Sequence, residues 1–266
     1  TGLIPGIHIN LVAISILGIT LIQNLPSSII LTFIVAMAIT HTFLDFIPSI
    51  FLGAPSEDTA LSVLPGHELL LQGQGHNALK LTVLGSTIAI ISLTLIIPIF
   101  ILIIPKIYPF LQRMMGIFLI WIAIFLIYNE KNGKIKAIII FILAGFVGLT
   151  SLNLNIQNPL LPLLTGLFAT STLIHSIKSN TILPEQKIEK LHIPKSQIIK
   201  PTIATILVSP ICSLFPGLGS SQAAIIASEL SGKSTREQFL ILLGSINTIV
   251  MSISFVTLFL VQKSRT

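Results

Sequence analysis

Six stretches of this chain run without a single Asp, Glu, Lys or Arg, at 1–44, 81–105, 114–129, 137–177, 201–228 and 238–262. A helix needs roughly 20 apolar residues to cross a ~30 Å hydrocarbon core, and several of these runs reach that length. Only 9% of the residues are charged, against about a quarter in a soluble domain. No alternating segments of ~10 residues recur, as a membrane barrel would require. The expected class is an all-α polytopic membrane protein of the cytoplasmic membrane.

The formal net charge of +6 does not point to nucleic acid, because the basic residues sit in a few connecting segments rather than on one folded face. Their expected partner is the anionic lipid of the inner leaflet. The single Cys212 excludes an intramolecular disulfide and any cysteine-based metal cluster. No metal or other cofactor is expected. The chain starts inside an apolar element and stops at "FLVQKSRT", just past another. It is therefore expected to be a piece of a longer protein.

Turn residues divide the runs. Helices are expected over about 7–23 and 28–47, with "QNLPSS" as the turn, a serine cap on the second helix and Pro48 ending it. A polar segment follows at 53–78, then a helix over about 79–104, kinked at Pro98. "PKIYPFLQR" reads as an interfacial connection to a helix over about 114–128. The run 137–177 is expected to split at "NLNIQNP" into a hairpin. Its two flanking loops, with Lys131, Lys134 and Lys136 on one and five Lys in 178–200 on the other, would then both be cytoplasmic. Residues 201–230 read either as one broken helix or as two short helices, with the charge rule favouring a re-entrant hairpin that returns Lys233 and Arg236 to the same side.

"TGLIPGIHIN" at the start is matched by "CSLFPGLGSS" at 212–221, so that Pro5-Gly6 falls on Pro216-Gly217. Downstream, "AITHTFLDF" lies on "GSINTIVMS", and "GAPSEDT" on "LVQKSRT". A polar interruption recurs deep in the following helix, at Thr40-His41 and at Asn247-Thr248. This predicts an internal structural repeat with Pro-Gly broken or re-entrant helices. The organisation is a first repeat in 1–104, connecting transmembrane helices and a basic cytoplasmic loop in 105–200, and the start of a second repeat in 201–266.

Breaks at matching places in two halves point to a secondary-transporter binding site. Pro removes an amide donor and Gly relaxes the backbone, so the freed polar groups need water, solute or protein around them. A helix starting after the break aims its positive end at that point, which suits an anion. The alternative reading is a pair of plain kinks rescued by neighbouring helices. On the first reading the substrate-binding residues are Pro5, Gly6, His8, Asn10, Thr40, His41, Pro216, Gly217, Gly219, Ser220, Ser221, Gln222, Asn247 and Thr248.

His41 and Asp45 stand four apart on one helix face, where they can pair or relay a proton. Asp45 is also only three residues before Pro48, a position that fits interfacial water equally well. Glu57 and Asp58 read either as cation ligands or as a solvated helix start capped by Ser56. Asp45, Glu57 and Asp58 are the candidates for coupling Na⁺ or H⁺. His67, Glu68 and His76 lack the spacing of a helix-borne zinc site.

"TGLIPGIHINLVA", "IPSIFLGAPSEDTALSVLPGHELLLQGQGHNALKLTVLGS" and "LFPGLGSSQAAIIASEL" resemble the large membrane subunit of tripartite tricarboxylate transporters, the TctA family, in a divergent archaeal-type form. Gly53, Pro55 and Thr59, with Ala60 and Leu61, match a family segment. His8 stands where the family has a Gly, and "LLGSINT" lacks the family's acidic-Ala-Ala-Asn-Asn pattern. The resemblance implies a permease subunit for tricarboxylates or related carboxylates, driven by a cation gradient in symport. It also implies two partners, a small four-helix membrane subunit and an extracytoplasmic binding protein. Two alternatives stand beside this reading: a carrier for a lipid-linked phosphate such as polyprenyl phosphate, and an intramembrane hydrolase. The latter lacks both a Gly-x-Ser-x-Gly elbow and a His-Glu-x-x-His helix, so the chain is not expected to be an enzyme.

Overall fold

The structure is a computed structural model of all 266 residues. It describes the chain except residues 5–8, 24–25, 54–55, 57, 131–132, 155–173, 175–182, 189–192, 216, 233 and 263–266. The described residues are helical, without strands. They form two compact units, one from Thr1–Lys106 with Ile182–Thr266 and one from Ile107–Thr181. Among the described residues, five helices are long and apolar enough to cross a membrane. Rows of Ile, Leu and Phe on them are exposed, for example Ile99, Leu102, Leu207 and Phe259. Contiguous apolar surface of that kind suits lipid rather than water. The chain is an all-α polytopic membrane protein.

In the first unit, α1 spans Ile9–Gln23 and α2 spans Ser27–Leu44. Pro26 rather than a serine stands at the start of α2, which has no side-chain cap. Pro48 does not end this helix. The break comes at Asp45, and a short helix α3 then runs Phe46–Leu52. A proline ring clashes with the carbonyl four residues back, here Leu44. Interruption at Asp45 relieves that clash and leaves Pro48 in the first turn of α3, where a missing N–H costs nothing.

Gly53 closes α3 with φ 61°, the left-handed conformation that glycine adopts without penalty. A 3-10 turn, Ala60–Ser62, leads into α4, Val63–Leu71. The polar segment between α2 and the next long helix is thus folded back on α3, with Ser49 Oγ and Ser62 Oγ 2.6 Å apart. A Cβ on Gly66 would come within 2.7 Å of Ile50, so the two helices approach closely there.

Helix α5 is continuous from Gly75 to Asn129. The interfacial connection expected over 105–113 is helical instead. Each proline there removes one backbone hydrogen bond, a loss that membrane helices absorb through local adjustment. In the second unit, α6 spans Lys134–Leu152, and the Lys134 ammonium lies 3.9 Å from the centre of the Tyr128 ring. The start of the expected turn at Asn153 is helix end. Its remainder, at 155–159, lies outside the described residues.

The first unit is completed by α7, Lys195–Leu214, α8, Ser220–Ser231, and α9, Arg236–Val261. Residues 201–230 are therefore two helices. Thr235 caps α9 by accepting from Gln238 N–H while Gln238 Oε1 accepts from Thr235 N–H. Every residue from Leu240 to Val250 is buried, which makes α9 the centre of the unit. Helix α8 packs on both α7 and α9. Its 12 residues span only about 18 Å, too short to cross a ~30 Å core.

Two polar levels mark the α9 axis. At its first residue, Arg236 Nε meets Glu68 Oε2 at 2.8 Å, both about half exposed. Eleven residues further on, about 16 Å along the helix, Asn247 meets Asp45 and Ser220. The end of α4 also holds a segment of the linker without regular structure, residues 183–188. There Gln186 donates to Leu70 O at 3.0 Å and accepts from Gly75 N–H at 2.9 Å, joining the end of α4 to the start of α5. Lys187 N–H donates to Gly73 O at 2.8 Å. Gln186→Ala is expected to lower stability by about 1–3 kcal/mol, since it strips partners from part-buried backbone groups. Thermal unfolding in detergent measures this, and an unchanged midpoint would refute the clip.

Candidate functional site

The site forms where the α2–α3 junction, the loop before the 3-10 turn and the start of α8 converge on the middle of α9. Asp45 is 5% exposed. Its Oδ2 accepts from Asn247 Nδ2 at 2.9 Å. Asn247 Oδ1 faces Ser220 Oγ, the donor, at 3.5 Å. Ser220 N–H in turn donates to Asp58 Oδ1 at 3.2 Å. A chain of polar contacts therefore runs from one carboxylate to another across three elements and α9.

Asp45 thus lies in the interior, not in interfacial water. His41 Nε2 is 4.0 Å from Asp45 Oδ2, the one-turn spacing that the sequence predicts. The other ring nitrogen lies 3.0 Å from Thr1 Oγ1. Gly2 fits against the same junction, where a Cβ would come within 2.9 Å of His41 O and 3.0 Å of Asp45 N.

The break before α8 is built by glycines. Gly217 has φ 78°, and Gly219 is extended just ahead of the helix. Gly219 N–H donates to Gln222 Oε1 at 2.8 Å, so Gln222 serves to close the helix end. Ser220 N–H is satisfied by Asp58, a carboxylate of the same chain seated where a helix start favours negative charge. Ser221 is half-buried beside it.

The residues that resemble the family segment shape the loop that delivers Asp58. Buried Thr59 accepts from Ser56 N–H through Oγ1 at 3.0 Å. Ser49 Oγ and Ser62 Oγ both donate to Thr59 O, at 3.1 and 2.7 Å. Ser56 therefore closes a turn with Thr59 rather than capping a helix. Pro55 and Glu57 lie outside the described residues, as do Pro5, Gly6, His8 and Pro216. Asn10 is in the first turn of α1, and its side chain is outside the described set.

Thr40 is not brought into the network. It is exposed and bonds back to Ala36 O at 2.8 Å in its own helix. Its place is taken by Thr42, which sequence reasoning missed. Thr42 Oγ1 and Thr248 Oγ1 lie 3.0 Å apart, both fully buried. Laying "AITHTFLDF" on "GSINTIVMS" places Thr42 on Thr248, so the register itself carried the signal.

A contact between α5 and α9 lies near this level. Ser86 Oγ donates to Gly244 O at 3.1 Å, and Ser245 Oγ donates to Gly85 O at 2.9 Å. A Cβ on Gly85 would run into Ile241 O, and one on Gly244 into Thr82 O. The sequence signal is a Leu-Gly-Ser that occurs at 84–86 and again at 243–245.

The tripartite tricarboxylate transporter TctA family matches residues 1–266. The chain belongs to that family. It is 28% identical over 256 residues to the uncharacterized protein MJ1079 of Methanocaldococcus jannaschii. That match takes in 92% of this chain and 62% of the relative, so the chain spans about three-fifths of the relative's length. No solved structure matches the chain. Within this family member, the segments of the resemblance supply most of α3, the Asp58 loop and the α8 start.

Proposed function

We propose that the chain forms the core of a permease subunit that carries a small organic anion, a di- or tricarboxylate, across the cytoplasmic membrane in symport with a cation. The observation that carries this reading is the Asp58 carboxylate on Ser220 N–H. The start of α8 accepts a carboxylate, and the chain's own Asp58 holds the place of the substrate's. Family membership supports the carrier class and, with it, the two partner subunits.

The two halves are read as one structural repeat. Residues related by a two-fold meet their own equivalents only on the axis. Thr42 against Thr248 supports such an axis at the polar layer. Helices α7 and α8 are read as a re-entrant hairpin with its tip at that layer and its base on the cytoplasmic side, beside the lysine-rich linker. Substrate enters at the tip, displaces Asp58 and is passed between the halves as they rock about the Thr42–Thr248 contact.

If Asp58 competes with substrate, Asp58→Asn should tighten carboxylate binding by about 2–5-fold, the effect of ~0.3–1 kcal/mol for one charge at a helix start. Titrating the thermal midpoint of purified protein with citrate and succinate measures it. Unchanged or weaker binding in Asp58→Asn would rule out the competition. Stabilisation by polyprenyl phosphate alone would replace the substrate class with a lipid-linked phosphate.

A further inference from the structure

The most demanding atom in the molecule is Asp45 Oδ1, which is buried and has no hydrogen-bond partner among the described residues. Its sister Oδ2 is met by Asn247 Nδ2. A carboxylate in a membrane-spanning helix with half its hydrogen-bonding capacity unused is costly unless it is paired. The described residues offer no Lys or Arg to Asp45. His41 faces it from the same helix at 4.0 Å, too far for a hydrogen bond. Asp58 stands at the far end of the same network, beyond Ser220.

Asp45 Oδ2 is met by the Asn247 amide nitrogen, and oxygens lie one step further out. Asn247 contributes its amide Oδ1, Ser220 its hydroxyl, and Thr42 with Thr248 a hydroxyl pair on the adjoining turns. Asp45 also follows the last residue of α2, where the helix dipole is negative and favours a cation. One carboxylate among neutral hard oxygens suits a small monovalent cation better than a divalent or a soft metal. Broken membrane helices use such ends for sodium.

We propose that Asp45 Oδ1 binds a sodium ion at the α2–α3 junction, with the remaining coordination supplied by oxygens of the Asn247–Ser220–Thr42 network. The site deepens the carrier reading and rests on it, because it gives the coupling ion a place one residue away from the substrate. Turning over the Asn247 amide, whose Nδ2 meets Asp45 Oδ2, brings its Oδ1 to the sodium and releases the Ser220 hydroxyl to donate to an anion at the start of α8. Ion and substrate are thereby linked through Ser220 and Asn247, and the two charges offset one another.

The test uses the full chain in detergent at constant ionic strength, with NaCl exchanged for choline chloride. Sodium at about 100 times its dissociation constant should raise the thermal midpoint of wild type by about 5–10 °C. The rise should vanish in Asp45→Asn and persist in Glu68→Gln, which alters only the other polar level. An equal rise in Asp45→Asn, or a midpoint that follows pH and ignores sodium, overturns the site. Should Asp45→Asn fail to fold, equilibrium binding of radiolabelled sodium to wild type and to Asn247→Ala decides: no binding, or binding unchanged in Asn247→Ala, overturns it. Carboxylate uptake that proceeds without sodium sinks the site and leaves the carrier standing. Sodium binding with no carboxylate uptake sinks the carrier reading and leaves the site.

Discussion

Gly244→Leu is expected to destabilise the protein by about 2–4 kcal/mol. Helices α5 and α9 cross with backbone against backbone, since a Cβ on Gly244 would meet Thr82 O, C and Cα and a Cβ on Gly85 would meet Ile241 O. Backbone atoms in two helices cannot step aside as a flexible side chain can. In a bilayer, helix association depends on such close packing and on hydrogen bonds across the contact, because lipid is as apolar as leucine. Leucine at 244 forces the helices apart and breaks both serine-to-carbonyl bonds. Overpacking costs about 1–3 kcal/mol, and each lost bond adds roughly 0.6 kcal/mol. Against a net stability of ~5–15 kcal/mol, that is a large share of what keeps the protein folded, and the thermal midpoint should fall markedly. Gel filtration and thermal unfolding read the result. Gly145→Leu is the control, because a Cβ there meets nothing within 4 Å. A wild-type midpoint in Gly244→Leu would show that the helices do not cross in this way.

Pro216→Ala combined with Gly217→Ala is expected to abolish carboxylate uptake by proteoliposomes while leaving the protein folded. Phe215 is extended, with φ −98° and ψ 128°, the region to which a residue before proline is confined. Alanine at 216 lifts that restriction and restores an amide donor, so α7 can continue past Leu214. Alanine at 217 works against φ 78°, at a cost of roughly 1–2 kcal/mol, but meets no neighbouring atom. The double change moves the start of α8 without disturbing the buried α9. A misplacement of about 1 Å at a working site costs on the order of 10²-fold in rate. Uptake at or near the wild-type rate would remove the α8 start from the substrate site.

Much of the architecture was legible because membrane helices announce themselves by the absence of charge. The runs at 81–105 and 238–262 appear as α5 and α9 material, and the basic turn near 130 separates α5 from α6. Two readings failed for a common reason. Pro48 broke its helix one turn upstream, at Asp45, and the prolines of 105–113 broke nothing. Proline acts on the carbonyl four residues back, and whether that strain is released or absorbed depends on the surroundings.

Laying the two Pro-Gly segments on one another singled out His41, Asn247, Thr248 and Ser220, and the fold brings all four to one level of α9. Thr40 and Thr42 are both polar and adjacent to His41, and only the helix phase against α9 separates them. The role of Asp58 was hidden for another reason. An acidic residue in a polar loop looks solvated until the fold carries it to the start of a helix 162 residues away.

The sequence by itself determined the solvent of this protein and the places where its helices yield. Hydrophobic length and the chemistry of proline and glycine are local properties, written in consecutive residues. Which polar groups then satisfy one another was decided only by tertiary structure. Asp45 to Asn247 and Thr42 to Thr248 are contacts across more than 200 positions. In a low-dielectric interior, every polar group that a break releases must find its partner in space, and no spacing along the chain records where that partner is.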